Sequence, residues 1–225
     1  MIRNTGYKLI VNPSEDPLDL ARSGGGLAVI GRGAKHQVDV LGQLQWIPAF
    51  TFPLRLFVEA KFKGAKTGIP TVRNALGIIL DVNKKNYPST SENKPVPIFH
   101  YVYALFSISG FSEQAQKMAL AHQISLIDLS GSEYSRLTST IEAVAEKIQT
   151  SISRNRLIYN LRHSIRIRLG TISEDNSSED QQLYDPTLAG LLNEIIEPVI
   201  IKTREYHELF VGMAICRIQL DSSER

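Results

Sequence analysis

Residues 37–61 read QVDVLGQLQWIPAFTFPLRLFVEAK. Two apolar runs, Gln37 to Leu44 and Leu54 to Val58, flank a proline-containing connection, and the second run ends in Glu59-Ala60-Lys61. Such short runs bounded by glycine or proline read as strands. Side chains alternate faces along a strand, so Glu59 and Lys61 point one way while Ala60 points into the packing. If the two runs pair antiparallel, Asp39 lies beside Glu59 on the same face. Two carboxylates held together repel and are costly to bury unless a cation sits between them. Hard oxygen ligands suit Mg2+, at about 2.1 Å, with Mn2+ as a substitute. The Ala60 backbone carbonyl offers a further oxygen, and Lys61 is placed to orient a water and stabilise charge on phosphate oxygens.

Upstream, Leu27 to Ile30 is a third apolar run, joined to Gln37 through Gly31-Arg32-Gly33, and the three runs together read as a β-meander. Residues 1–23 are polar and turn-rich, with one short helix expected from Pro17 to Arg22. Downstream, Ile69, Val72, Ala75, Leu76, Ile79 and Leu80 recur at helical steps, with Pro70 suited to the first turn. The polar stretch Asn83 to Pro97 reads as a loop. Val102 to Ile108 reads as a strand, Ser112 as the cap of a helix carrying Ala115, Met118 and Ala119, and Ile124 to Leu129 as a last buried strand. Strand, helix, strand, helix, strand implies an α/β core whose mixed central sheet is flanked by helices.

The last third is expected to be an α+β extension. It reads as a helix over Ile141 to Ile148, a strand over Ser164 to Leu169, an acidic loop over Ser173 to Pro186, a helix over Leu188 to Ile196 and a strand over Leu209 to Leu220. The division is therefore a segment over 1–23, a core over 24–130 and an extension over 131–225.

The order of these motifs resembles a known family. Asp39, a spacer of about twenty residues, and Glu-Ala-Lys ending a hydrophobic strand resemble the signature of the PD-(D/E)XK nuclease superfamily. The flanks resemble its Mrr-like restriction endonuclease branch: Gly31 to Gly42 (GRGAKHQVDVLG), Thr67 to Arg73 (TGIPTVR), and Ser107 to Ala115 (SISGFSEQA) running on to Ile124 to Asp128. The resemblance covers roughly residues 24–130. It implies a restriction-endonuclease-like fold and Mg2+-dependent hydrolysis of DNA phosphodiesters by Asp39, Glu59 and Lys61. It also implies a homodimer, in which two sites cut two strands, with specificity from a further domain or partner subunit. Two departures stand out. Val38 occupies the place of the family's proline, and a third acid from a preceding helix has only Glu15, Asp16 or Asp19 to supply it.

Other residues carry both a functional and a plain structural reading. His36, Gln43, Lys63, Ser107 and Ser109 are candidates for touching substrate; the alternatives are a surface histidine, a solvated strand face and helix-capping serines. Asp128 reads as structural. Gly26 to Gly33 lacks the Lys-Ser/Thr of a phosphate loop, so tight turns explain its glycines. Arg154, Arg156, Arg162, Arg166 and Arg168 suit either a DNA backbone or the acids of 173–185.

Composition narrows the classes. One cysteine among 225 residues excludes a disulfide framework or a multi-cysteine zinc site within one chain. No stretch reads as a signal peptide or membrane span, so a soluble, cytoplasmic protein is expected. The net charge of +2 hides an uneven distribution: residues 1–130 hold 14 Lys+Arg against 9 Asp+Glu, and residues 131–225 hold 11 against 14. Eight basic residues face three acids between Arg55 and Lys94, a bias that favours a polyanion. The alternative function is a non-catalytic DNA-binding or scaffold protein that keeps the fold; a third reading is an α/β interaction domain with an accidental acid–base match.

Overall fold

The computed structural model describes residues 5–23, 26–47, 49–84, 98–151, 165, 194 and 196–202. The chain divides into two compact units, residues 6–132 and a second formed by 1–5 with 133–225.

The first unit holds β1 (Tyr7–Ile10), β2 (Leu20–Ser23), β3 (Gly26–Ile30), β4 (Lys35–Gln37), β5 (Val40–Leu44), β6 (Leu54–Lys61), α1 (Ile69–Asn83), β7 (His100–Ser107), α2 (Glu113–Ala121) and β8 (Ser125–Asp128). Five strands form a mixed sheet in the order β1-β5-β6-β7-β8. β5 pairs antiparallel with both β1 and β6; β6, β7 and β8 are parallel, joined through α1 and α2. A helix is the compact way to return between parallel strands. The fold is α/β, as the alternation of periods from two to 3.6 implies.

Register sorts the side chains by face. Leu41, Phe57 and Tyr103 stand level across three strands, as do Glu59 and Leu105 across two. This face carries the core. Leu41, Phe57, Tyr101, Tyr103, Leu105 and Leu126 pack with Val72, Ala75 and Val82 of α1 and with Ala115 and Ala119 of α2. The helical positions are those the sequence periodicity assigns to a buried stripe. Pro70 lies in the first turn of α1, and Ser112 caps α2 by accepting from the Ala115 N–H at 3.3 Å.

Two sequence expectations are corrected. The run 37–44 is not one strand of a three-run meander. β4 belongs to a separate three-stranded sheet, β2-β3-β4, and β5 to the large one. The chain changes sheet at Val38-Asp39: the Val38 N–H reaches Leu27 O at 3.0 Å, and the Asp39 N–H reaches Val58 O at 3.2 Å. Residues 17–22 are not helical either; a turn over 17–19 leads into β2. Pairing of Leu20 with Val29 and of Arg22 with Leu27 satisfies that backbone instead. The first 23 residues thus supply a strand to each sheet.

Gly31 and Asp81 explain the glycine-rich turn. Asp81, near the end of α1, accepts from the Gly33 N–H at 2.8 Å and the Ala34 N–H at 3.2 Å, and meets His36 Nε2 at 2.7 Å. A Cβ on Gly31 would lie 2.0 Å from Asp81 Oδ2, so only glycine fits. The His36 bond, followed by the backbone N–H groups, holds the Asp81 carboxyl below its usual range. A carboxylate with a depressed folded-state pKa stabilises above its unfolded value, near 3.8, and loses that stabilisation as pH falls through the folded value. Asp81→Asn is therefore expected to lower the melting temperature by a few degrees at pH 7. Melts at successively lower pH are expected to show the gap from wild type closing below about pH 4.

In the second unit, the 3-10 turn Ser132–Tyr134, which straddles the boundary, leads into α3 (Ser135–Ser151), covering the helix expected over 141–148. Glu194 and residues 196–202 are helical, continuing past the expected end at Ile196. Ile165, the one described residue of the stretch 164–169, is helical, and the rest of the strand read there lies outside the described residues. The acidic loop, the strand read over 209–220, the five arginines of 154–168 and residues 85–97 of the loop read over 83–97 lie outside the described residues. Among the described residues no helix is long and apolar enough to cross a membrane.

Candidate active site

Asp39, Glu59 and Lys61 come together where β5 begins and β6 ends. Val40 pairs with Val58 at the end of the β5–β6 register, and Asp39, one residue before β5, lies beside the Val58–Ala60 segment of β6. The exposed Asp39 is held by two bonds to one short segment. Its N–H reaches Val58 O, and its Oδ2 accepts from the Ala60 N–H at 2.9 Å. Lys61, two residues beyond Glu59 and on its face, donates Nζ to Glu59 Oε1. Both side chains are partly buried, with 25% of Lys61 and 16% of Glu59 exposed, so the pair is shielded more than a surface salt bridge.

Tyr103 completes the group, and sequence reading missed it. It stands on β7 level with Phe57, its ring stacked on Phe57 at 5.0 Å and 14°. Its hydroxyl donates to Glu59 Oε2. Burial first, then the Glu59 bond and charge, then the Asp39 charge push its acidity far below that of a free tyrosine. The hydroxyl is thus a fixed O–H donor, and both carboxylates act on it. A signal was present: in His100-Tyr101-Val102-Tyr103 the tyrosines share a face, beside the strand that carries Glu59.

Two carboxylates against one ammonium leave a local charge of −1. Oxygen donors with residual negative charge fit a hard divalent cation. Each carboxylate offers about four acceptor directions, so the bonds to Ala60, Lys61 and Tyr103 leave lone pairs available to an ion. The fit rests on two acids. Among the described residues no group of three His, Cys, Asp or Glu side chains is gathered for a metal. Glu15 is bound by Lys8 at 2.9 Å and by the Val11 and Asn12 N–H groups. Asp16 and Asp19 lie on Arg55, at 2.7 and 3.1 Å.

The other candidates are drawn elsewhere. His36, in the middle of β4, is held by Asp81. Gln43 Oε1 accepts from Arg55 Nε at 3.3 Å and Nη2 at 3.2 Å. Ser107 is 1% exposed, donating to Gly110 O at 3.0 Å and lying 2.9 Å from Thr67 Oγ1. Ser109 donates to Ala65 O at 2.6 Å. The two serines tie the β6–α1 link to the β7–α2 turn, where Gly110 adopts φ +73 and a Cβ would meet Asp128 Oδ2 at 2.8 Å. Asp128 itself accepts from the Ser130 N–H, a structural role. Lys63, by contrast, is exposed on the link directly after Lys61, as are Lys66 and, on α1, Arg73. Of the other basic residues between Arg55 and Lys94, Arg55 is 2% exposed and no part of a surface patch, Lys84 is exposed just past the end of α1, and Lys85 and Lys94 lie outside the described residues.

No protein-family model and no curated protein matches the chain. Among solved structures it is similar to the crystal structure of a protein of unknown function, AF1548, at 16% identity and TM-score 0.43, over 88% of this chain and 90% of that one.

Proposed function

We propose that this protein is a metal-dependent endonuclease that hydrolyses DNA phosphodiesters, with Asp39 and Glu59 holding Mg2+ and Lys61 acting on the phosphate. One arrangement carries the reading: Asp39 is bonded to the Val58–Ala60 segment at the end of β6, where Lys61 bonds Glu59 directly. The Ala60 carbonyl is the further oxygen assigned to the ion. When bound, the ion supplies Lewis-acid chemistry, lowering the pKa of a coordinated water and neutralising phosphate charge. Lys61 gives a second positive centre: its ammonium offsets charge growing on the non-bridging oxygens and orients the water. Tyr103 keeps its proton and stays a donor to Glu59. Lys63, Lys66 and Arg73 attract the DNA backbone, and Mn2+ substitutes for Mg2+.

A homodimer, and specificity drawn from the C-terminal residues or a partner, belong to the same proposal. The second reading, a DNA-binding or scaffold protein without catalysis, has one observation in its favour. Lys61 and Tyr103 bond both oxygens of Glu59 from within the chain.

Cleavage of supercoiled plasmid and linear DNA separates the two. With Mg2+ the protein is expected to cut, with chelator it is not, and Asp39→Ala and Lys61→Ala are both expected to be inactive. DNA binding without cleavage, indifferent to those substitutions, would establish the second reading. Neither binding nor cleavage would remove both.

A further inference from the structure

We propose that Tyr103 is a positioning residue for the metal-holding carboxylate, its hydroxyl fixing one oxygen of Glu59 so that the other lone pairs face Asp39. The inference rests on the metal-dependent reading above. Glu59 sits near a strand end with three rotatable side-chain bonds, and ordering such a group costs conformational entropy whenever it must hold an ion. Tyr103 removes much of that freedom beforehand. Its ring is 1% exposed and stacked on Phe57, so the place of its hydroxyl is set by the core rather than by solvent. The hydroxyl has a single proton and directs it at Glu59 Oε2. Lys61 takes the other oxygen, Oε1, so the carboxylate is gripped at both ends.

The alternative use of a tyrosine here, as a proton donor to the leaving oxygen, fits poorly. Its ring is 1% exposed and its hydroxyl is taken up by Glu59, so it does not reach substrate. Partners that hold a metal-ligating carboxylate in this way typically contribute 10–100-fold to ion affinity or rate.

Tyr103→Phe removes the hydroxyl and keeps the stack. Manganese is titrated calorimetrically into the full chain, its Tyr103→Phe variant and Asp39→Ala, alongside melting curves and the magnesium dependence of plasmid cleavage. In Tyr103→Phe the manganese Kd and the half-maximal magnesium concentration are expected to rise together by about tenfold. The saturating rate is expected to stay within about threefold of wild type and the Tm within a few degrees. A variant that titrates like wild type while Asp39→Ala loses the ion would overturn the positioning role and leave the nuclease reading intact. A fall in saturating rate with an unmoved metal midpoint would also overturn it, because the hydroxyl would then act on chemistry or structure. If wild type neither binds manganese nor cuts, the nuclease reading falls and this inference with it.

Discussion

Arg55→Met is expected to destabilise the first unit by about 3–5 kcal/mol, lowering its Tm on the order of 10–20 °C. Arg55 lies within the core, 2% exposed, and its five N–H donors are spread over four partners. Nη2 meets Asp16 at 2.7 Å; Nη1 meets Asp19 at 3.1 Å and Tyr101 Oη at 3.0 Å; Nε and Nη2 share Gln43. Its guanidinium also lies 3.4 Å from the centroid of the Phe99 ring. Methionine fills much of the volume and removes the charge. Asp19, at 1% exposure, is then a buried carboxylate without the guanidinium, and it still accepts from the Tyr101 hydroxyl at 2.9 Å. Removing one member of a buried pair costs far more than replacing both, since a charge is left without its counterion. Arg55→Met combined with Asp19→Asn is therefore expected to recover part of the loss. Urea unfolding of the two single variants and the double variant measures this. A single variant within about 1 kcal/mol of wild type would show that the network contributes little to stability.

Glu59→Gln is expected to lower the cleavage rate by about a thousandfold, equivalent to about 4 kcal/mol of transition-state stabilisation, without weakening DNA binding. Glutamine keeps an oxygen for the Tyr103 hydroxyl and nearly the same shape. It takes one negative charge from a group of three, so Asp39 alone opposes Lys61 and the attraction for a divalent cation is largely lost. Phosphate approaching the site meets less repulsion, and DNA affinity should hold or rise. Single-turnover cleavage beside a gel-shift titration reads both quantities. Loss of binding in parallel with rate would point to damage of the DNA-binding surface instead.

Much of the site could be read from residues 37–61, because period-two alternation alone sets Glu59 and Lys61 on one face. The helix starts were equally legible: Pro70 and Ser112 act through local backbone chemistry that needs no tertiary information. What was hidden depends on distant partners. The passage from β4 to β5 at Val38-Asp39 carries no glycine or proline, so a run that read as one strand concealed a change of sheet. Arg55 looked like surface charge because its counterions, Asp16 and Asp19, come from a distant segment that read as polar and turn-rich. His36 drew attention as a reactive side chain, yet it stands on β4 and is held by Asp81 of α1. Tyr103 was absorbed into an apolar strand pattern that records burial and says nothing of where a hydroxyl points.

The most direct test is a crystal of the full chain soaked in manganese and measured for anomalous scattering. A peak is expected between the β5 start and the β6 end, within about 2.5 Å of an oxygen of Asp39 and of an oxygen of Glu59. Manganese bound only at other positions, or no peak beside those two carboxylates at millimolar concentration, would contradict the assignment of a shared divalent ion.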